Sequence, residues 1–212
     1  MFELLEKLKG GILDILFPRL CLGCGREGLY ICKDCEIFLS EVPNTIPGLV
    51  TVWEYEGIIE KAIWKIKYDG CYHIIDELVE KALEKVELNL PGDTYITYVP
   101  MYPKKERERG FNQSELIARK LGAVHARSVH RLLAKIKDNR SQVGLSPKER
   151  EENVKGVFCL TPDVKQCCLT SGVVLVDDVY TTGATAKECV KVLKKAGAKN
   201  VWVFTLARKL RI

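Results

Sequence analysis

No run in these 212 residues is long and apolar enough to cross a bilayer: the longest apolar stretch near the start, Gly11 to Phe17, is short and carries Asp14. No membrane span is therefore expected. Nor do residues 1–17 read as a secretory signal, because Glu3 and Glu6 stand where a positive region belongs and no small-residue cleavage site follows. A cytoplasmic location is the expectation. The GxxxxGK motif followed by Ser or Thr is absent, which removes a P-loop nucleotide site. Only His73, His125 and His130 are present, none beside a Ser or Cys nucleophile motif, so a triad hydrolase has little support. Charge of one sign is not in large excess either, with 33 Lys and Arg against 28 Asp and Glu. A formal +5 is too mild to mark a nucleic-acid protein by itself. With 47% hydrophobic and 29% charged residues, the composition is that of an ordinary globular chain.

The charge is unevenly spread. From Lys104 to Lys155 there are 14 basic and 7 acidic residues, a local +7, leaving 19 basic against 21 acidic elsewhere, about −2. The middle of the chain faces anions.

Nine cysteines are more than a chain of this length needs for stability, and an odd number suits no disulfide framework. Four of them fall in two CxxC pairs, Cys21 with Cys24 and Cys32 with Cys35. Two residues between paired cysteines let both thiolates face one ion, and two pairs complete a tetrahedron, so a structural Zn²⁺ site is expected. An iron–sulfur cluster and two disulfides are the competing readings. With four protein ligands no position is left for substrate. Gly23, Gly25 and Gly28 also spell GxGxxG, but without the preceding strand and following helix of a dinucleotide site. Ahead of the cysteines, Leu4, Leu5, Leu8, Ile12, Ile15 and Leu16 have a helical period, weakened by Gly10 and Gly11, and this helix is expected to dock on its own domain, with contact to a membrane surface as the lesser alternative.

From Leu49 onward apolar runs alternate with helical periods. Leu49 to Tyr55 reads as a strand; Ile58 to Ile66 and Ile74 to Ala82 read as helices; Tyr95 to Val99 reads as a strand, Ser114 to Leu121 as a helix, and a strand is expected near Val157. Val173 to Val176 is fully apolar, as a central parallel strand requires, and ends in Asp177 and Asp178. Val179, Tyr180, Thr181, Thr182, Gly183, Ala184 and Thr185 follow, then a helix with Ala186, Cys189, Val190, Leu193 and Ala196 on one face, closed by Gly197. Asn200 to Thr205 is the next strand, completing a βαβ unit. In the loop, Gly183 allows close backbone approach, three threonines offer hydroxyls, and the helix N-terminus offers free N–H groups. These are the requirements of a phosphate. Ionised carboxylates only accept hydrogen bonds, which suits sugar hydroxyls or hydrated Mg²⁺. Phosphate beside ribose hydroxyls suggests a phosphoribosyl group.

The run VVLVDDVYTTGAT, Val173 to Thr185, resembles the 5-phosphoribosyl 1-diphosphate (PRPP) signature of type I phosphoribosyltransferases. Nearly the whole chain resembles the competence protein F (ComF) family, through the four-cysteine knuckle, YVPMYPKKERERGFNQSELIA from Tyr98 to Ala118, and RSQVGLSPKEREENVKGVF from Arg140 to Phe158. The resemblance implies an α/β fold of the type I phosphoribosyltransferase kind, a mostly parallel sheet with flanking helices, over residues 48–212. A helix and zinc knuckle would occupy 1–47. It implies that Asp177 and Asp178, the candidate catalytic pair, hold the ribose hydroxyls with Mg²⁺ nearby. Thr181, Thr182, Gly183, Ala184 and Thr185 would cradle the 5-phosphate, Val179 and Tyr180 would belong to the same PRPP-binding run, and Lys104, Lys105 and Arg109 would face pyrophosphate. Arg140, Gln142, Arg150 and Asn153 would belong to a flexible loop over the site.

Two functions are compatible with this. One is a PRPP- or nucleotide-binding protein of DNA uptake in natural transformation, with single-stranded DNA and competence-machinery proteins as partners. The other is an active transferase that displaces pyrophosphate from the sugar in nucleotide or amine metabolism, without a DNA role. The acceptor is not legible in the sequence.

Overall fold

The computed structural model describes residues 18–92, 94–139, 146–162 and 172–210. The amphipathic segment 1–17, and Arg140 and Gln142 of the expected flexible loop, lie outside them.

A short helix, α1 (Lys33–Glu36), follows the first cysteines. The chain then alternates through β1 (Leu49–Glu54), α2 (Gly57–Tyr68), α3 (Ile74–Lys85), β2 (Tyr95–Tyr98), α4 (Pro103–Arg109) and α5 (Gln113–Val124). After these come β3 (Leu133–Lys135), α6 (Pro147–Val154), β4 (Phe158–Leu160), β5 (Gly172–Tyr180), α7 (Ala184–Lys195) and β6 (Asn200–Arg208). Strands β1, β6, β5 and β2 form, in that order, one sheet paired in parallel throughout. Val129 adds a single parallel bridge to Ile96 at the β2 edge. Strands β3 and β4 form a separate antiparallel ribbon.

Both faces of the sheet are covered, which is why β5 is apolar at every position from Val173 to Val176. Val174 and Val176, with Ile96 and Phe204, meet α2, α3 and α5 through Ile63, Leu78, Ile117 and Leu121. Val173 and Leu175, with Val203, meet α7 and the ribbon through Cys189, Leu193, Leu133 and Phe158. The α/β architecture expected from the alternating pattern is thus present.

Beside the two aspartates, the strand ends differ from the sequence reading. Strand β5 runs on through Asp177 and Asp178 to Tyr180, because β6 pairs with it as far as Arg208. On its other side β2 stops at Tyr98, opposite Val176, and Val99 N–H closes the ladder onto Val176 C=O at 2.9 Å. The two aspartates therefore sit on a strand end flanked by a partner strand on one side only.

The knuckle is held by α3. Glu77 accepts from Tyr30 N–H at 2.9 Å and Ile31 N–H at 2.7 Å. Lys81 pairs with Glu36 at 2.5 Å and Lys85 with Glu41 at 3.0 Å. These three residues, spaced by four, line one face of α3. Ile31, fully buried, joins the main core.

Candidate functional site

The open flank of β5 is filled by the corner between α4 and α5. Gly110 ends α4 in the left-handed region, at φ 84°, and turns the chain into α5. Asn112 caps α5, accepting from Ser114 N–H at 3.0 Å and donating to Val99 C=O at 3.1 Å. This fixes the first turn of α5 against the aspartates. Ser114 Oγ donates to Asp177 Oδ1 at 2.9 Å, and Gln113 Nε2 to Asp178 Oδ1 at 3.3 Å. Arg109 in turn donates to Gln113 Oε1 at 2.7 Å.

A second cation arrives from the opposite side. Lys67, in the last turn of α2, forms an ion pair with Asp178 Oδ2. Since α2 starts next to the carboxyl end of edge strand β1 and reaches the carboxyl end of β5 two strands away, it crosses over the end of the sheet.

These neighbours separate the two carboxyls. Burial and the charge of Asp178 push Asp177 up to about 7, against the pull of Lys67 and Ser114. Burial also resists ionisation of Asp178, but Lys67 and Gln113 outweigh it and hold that carboxyl below its ordinary value. Asp178 is thus a fixed, neutralised anion, while half-buried Asp177 exchanges its proton near neutrality.

Beyond the aspartates, Gly183 takes φ 76° and precedes α7. A side chain there would also collide with the Tyr180 ring, so the loop has two reasons for glycine. Thr182 Oγ1 accepts from Ala184 N–H at 3.3 Å. Thr181, Thr182 and Thr185 are half-buried around the buried Gly183 and Ala184, giving the arrangement of hydroxyls and helix N-terminus that an anion requires. Val179 and Tyr180 are half-buried at the end of β5.

The remaining expected residues divide. Lys105 pairs with Asp138 at 2.9 Å and donates to Asn139 C=O at 3.0 Å, linking α4 to the segment between β3 and α6. Asn139 Nδ2 donates to Asn153 C=O at 3.1 Å on α6. Lys104 points to solvent, with only a 4.0 Å approach to Glu108. Arg150 also lies on α6, whose start carries the reciprocal Ser146–Glu149 capping box. Sequence reasoning did not single out Lys67, Gln113 or Ser114. Lys67 left one signal: it stands on the shoulder of the apolar stripe formed by Ile59, Ala62, Ile63 and Ile66.

Cys21, Cys24, Cys32 and Cys35 come together with their sulfurs all within 4.8 Å of one another. All four sulfurs converge on one centre with none bonded to another, the arrangement of ligands to one ion and not of two disulfides. Cys24 and Cys32 sulfurs are 3.6 Å apart, near the ~3.8 Å edge of a tetrahedron with zinc–sulfur bonds of about 2.3 Å. Burial resists ionisation of Cys21, yet N–H groups of Cys32, Cys24 and Gly23 bring it down to about 6, and Cys32 N–H lies 3.4 Å from its sulfur. The cluster is built to bind one metal ion.

No family model matches the chain. It is 30% identical over 200 residues to competence protein F of Haemophilus influenzae, covering 91% of this chain and 85% of that protein. To the DNA utilization protein YhgH of Escherichia coli O6:H1 it is 31% identical over 199 residues, covering 90% and 85%. To competence protein ComFC of Bacillus subtilis it is 27% identical over 197 residues, covering 89% and 78%. Among solved structures, the allosteric regulatory enzyme of purine biosynthesis matches 63% of the chain at 20% identity and TM-score 0.42. Glutamine PRPP amidotransferase from B. subtilis matches 63% at 18% and 0.41. The chain spans about a quarter of each of those two enzymes, 25% and 26%.

Proposed function

The chain belongs to the competence protein F family, and on that premise we propose that it binds PRPP with Mg²⁺ and serves DNA uptake, with single-stranded DNA as a partner. The observation that carries the ligand is the Asp177–Asp178 pair at the end of β5, followed at once by the Gly183 loop and α7. Carboxylates for vicinal hydroxyls and a helix N-terminus for a phosphate stand in the order in which a ribose 5-phosphate presents them.

Each residue then has a task. Asp177 and Asp178 accept from the ribose hydroxyls, with Ser114, Gln113 and Lys67 holding them in place. The Thr181 to Thr185 loop holds the 5-phosphate. Arg109 and Lys105 face the diphosphate, whose charge they offset. One half-buried carboxylate beside an already neutralised one fits Mg²⁺, which keeps several waters and takes substrate phosphates as ligands; Asp177 is the residue that would hold it. When bound, the ion neutralises charge on the diphosphate. The knuckle holds Zn²⁺ as a structural ion, because its ligand set is complete without substrate.

Transfer of the phosphoribosyl group with release of pyrophosphate is the second reading. It is favoured by the Lys105–Asp138 link, which ties the diphosphate side to the segment expected to close over the sugar and exclude water.

Isothermal calorimetry with PRPP and Mg²⁺ tests the site. The wild type should bind, and Asp177→Ala and Thr182→Ala should bind more weakly with unchanged circular dichroism. Unchanged binding in both variants overturns the assignment.

A further inference from the structure

The face of α2 turned away from the core carries exposed rings. Trp64 is 52% and Tyr68 59% exposed, with Tyr72 at 46% just beyond the turn at Gly70. Large rings are costly to leave in water, and here they are grouped. Trp64 and Tyr68 centroids are 5.3 Å apart, at an interplanar angle of 46°. The Arg109 guanidinium lies 5.9 Å from the centroid of Tyr68, and Tyr72 meets Phe111 edge-on at 5.7 Å. Two elements, α2 with its following turn and the α4–α5 corner, thus build one wall of aromatic rings.

Charges of both signs border the rings: Lys61, Trp64 and Tyr68 follow one another at three- and four-residue spacing on the exposed face, Glu60 stands beside Lys61, and Lys65 pairs with Asp69 at 3.1 Å. Exposed flat rings, one of them under a guanidinium, match a chain of flat bases joined by phosphates, the partner that the proposed function names. The wall also adjoins the site already described, since Lys67, the residue before Tyr68, holds Asp178, and Arg109 holds Gln113.

We propose that the Trp64–Tyr68 face of α2 is a stacking platform for the unpaired bases of a single nucleic-acid strand, with Lys61 facing its phosphates. The proposal rests on the DNA part of the function proposed above and centres it on α2, where the Arg109 end of the basic block meets Tyr68. Stacking is indifferent to sequence and requires bases free of a complementary strand.

Fluorescence anisotropy with a labelled oligothymidylate of about 20 nucleotides, enough to span one binding module, tests it. Trp64→Ala and Tyr68→Ala should each weaken binding about fivefold or more, while Tyr68→Phe keeps wild-type affinity. The dependence on log salt should keep its slope in the alanine variants, because no phosphate contact is removed. Duplex DNA should be insensitive to Trp64→Ala. Wild-type affinity in both alanine variants overturns the proposal, as does absence of strand binding by the wild type or equal loss on duplex. Competition by free thymidine at equal base concentration overturns it too, in favour of a mononucleoside site. Circular dichroism confirms that the variants fold. PRPP calorimetry is scored separately: binding of PRPP without the strand leaves the phosphoribosyl site standing and removes only the platform, and the converse removes only the site.

Discussion

Asp177 and Asp178 are adjacent in sequence but not equivalent, and the difference lies in their partners. Since Asp177 is raised from 3.8 to about 7, its contribution to folding stability is full below 3.8 and is lost as pH rises through 7. Asp178 acts in the opposite sense: its contribution is present above its ordinary value and is lost as pH falls through its lowered one. A ribose hydroxyl requires Asp177 as an acceptor, so PRPP affinity should rise between about pH 6 and 8 as that carboxyl ionises. Calorimetry across this range should find the rise flattened in Asp177→Asn; an identical pH profile in wild type and variant rejects the assignment. Lys67 makes a different prediction. Lys67→Met leaves Asp178 buried and unpaired, so denaturant unfolding should show a loss of about 3 kcal/mol. The double variant Lys67→Met/Asp178→Asn should recover most of it, because the charge needing a partner is gone.

At the scale of elements, the Thr181 to Thr185 loop depends on the turn between β5 and α7. Gly183→Ala places a side chain at φ 76° and into the Tyr180 ring. The backbone conformation alone costs an L-residue about 1–2 kcal/mol, and relief of the clash must displace Tyr180. Thermal unfolding should move down accordingly, and PRPP binding should fall by more than the stability loss explains. This loop was legible from sequence because its chemistry is local: a continuous apolar strand, two acids, threonines, a glycine and a periodic helix follow one another. Strand β3 was not legible, since three residues, Leu133 to Lys135, show no alternation and become a strand only against β4. Ser114 and Gln113 were within reach only as part of a block. Their role arises because β2 ends one residue short of Asp177, leaving a flank that α5 fills, and such a long-range vacancy has no local signature. Lys67 is one of three lysines on α2, and what separates it from Lys61 and Lys65 is the shoulder position that carries it inward to Asp178.

Across the whole molecule, the knuckle and the core of the sheet meet through α3. One face of α3 grips the knuckle by Glu77, Lys81 and Lys85, while Ile74, Leu78 and Ala82 enter the core that supports the sheet. Ile31, between the second and third cysteines' neighbourhoods in the fold, is part of the same core. A structural ion supplies folding energy to the segment that holds it, and here that segment also contributes to the main core. Chelation should therefore do more than loosen the segment from Cys21 to Cys35. With the knuckle opened, Glu77 loses two N–H donors and Ile31 leaves the core, so the unfolding transition followed through buried Trp53 should shift to lower temperature. Glu77→Ala in the metal-loaded protein should reproduce part of this shift without releasing zinc, which a colorimetric zinc assay checks. If chelation leaves the Trp53 transition unmoved, the knuckle is an appendage and the α3 contacts carry no coupling. If the transition moves and PRPP affinity at 25 °C does not, the coupling is one of global stability; if affinity falls with it, the path runs along α2, whose Ile58 packs against the cysteines and whose Lys67 holds Asp178.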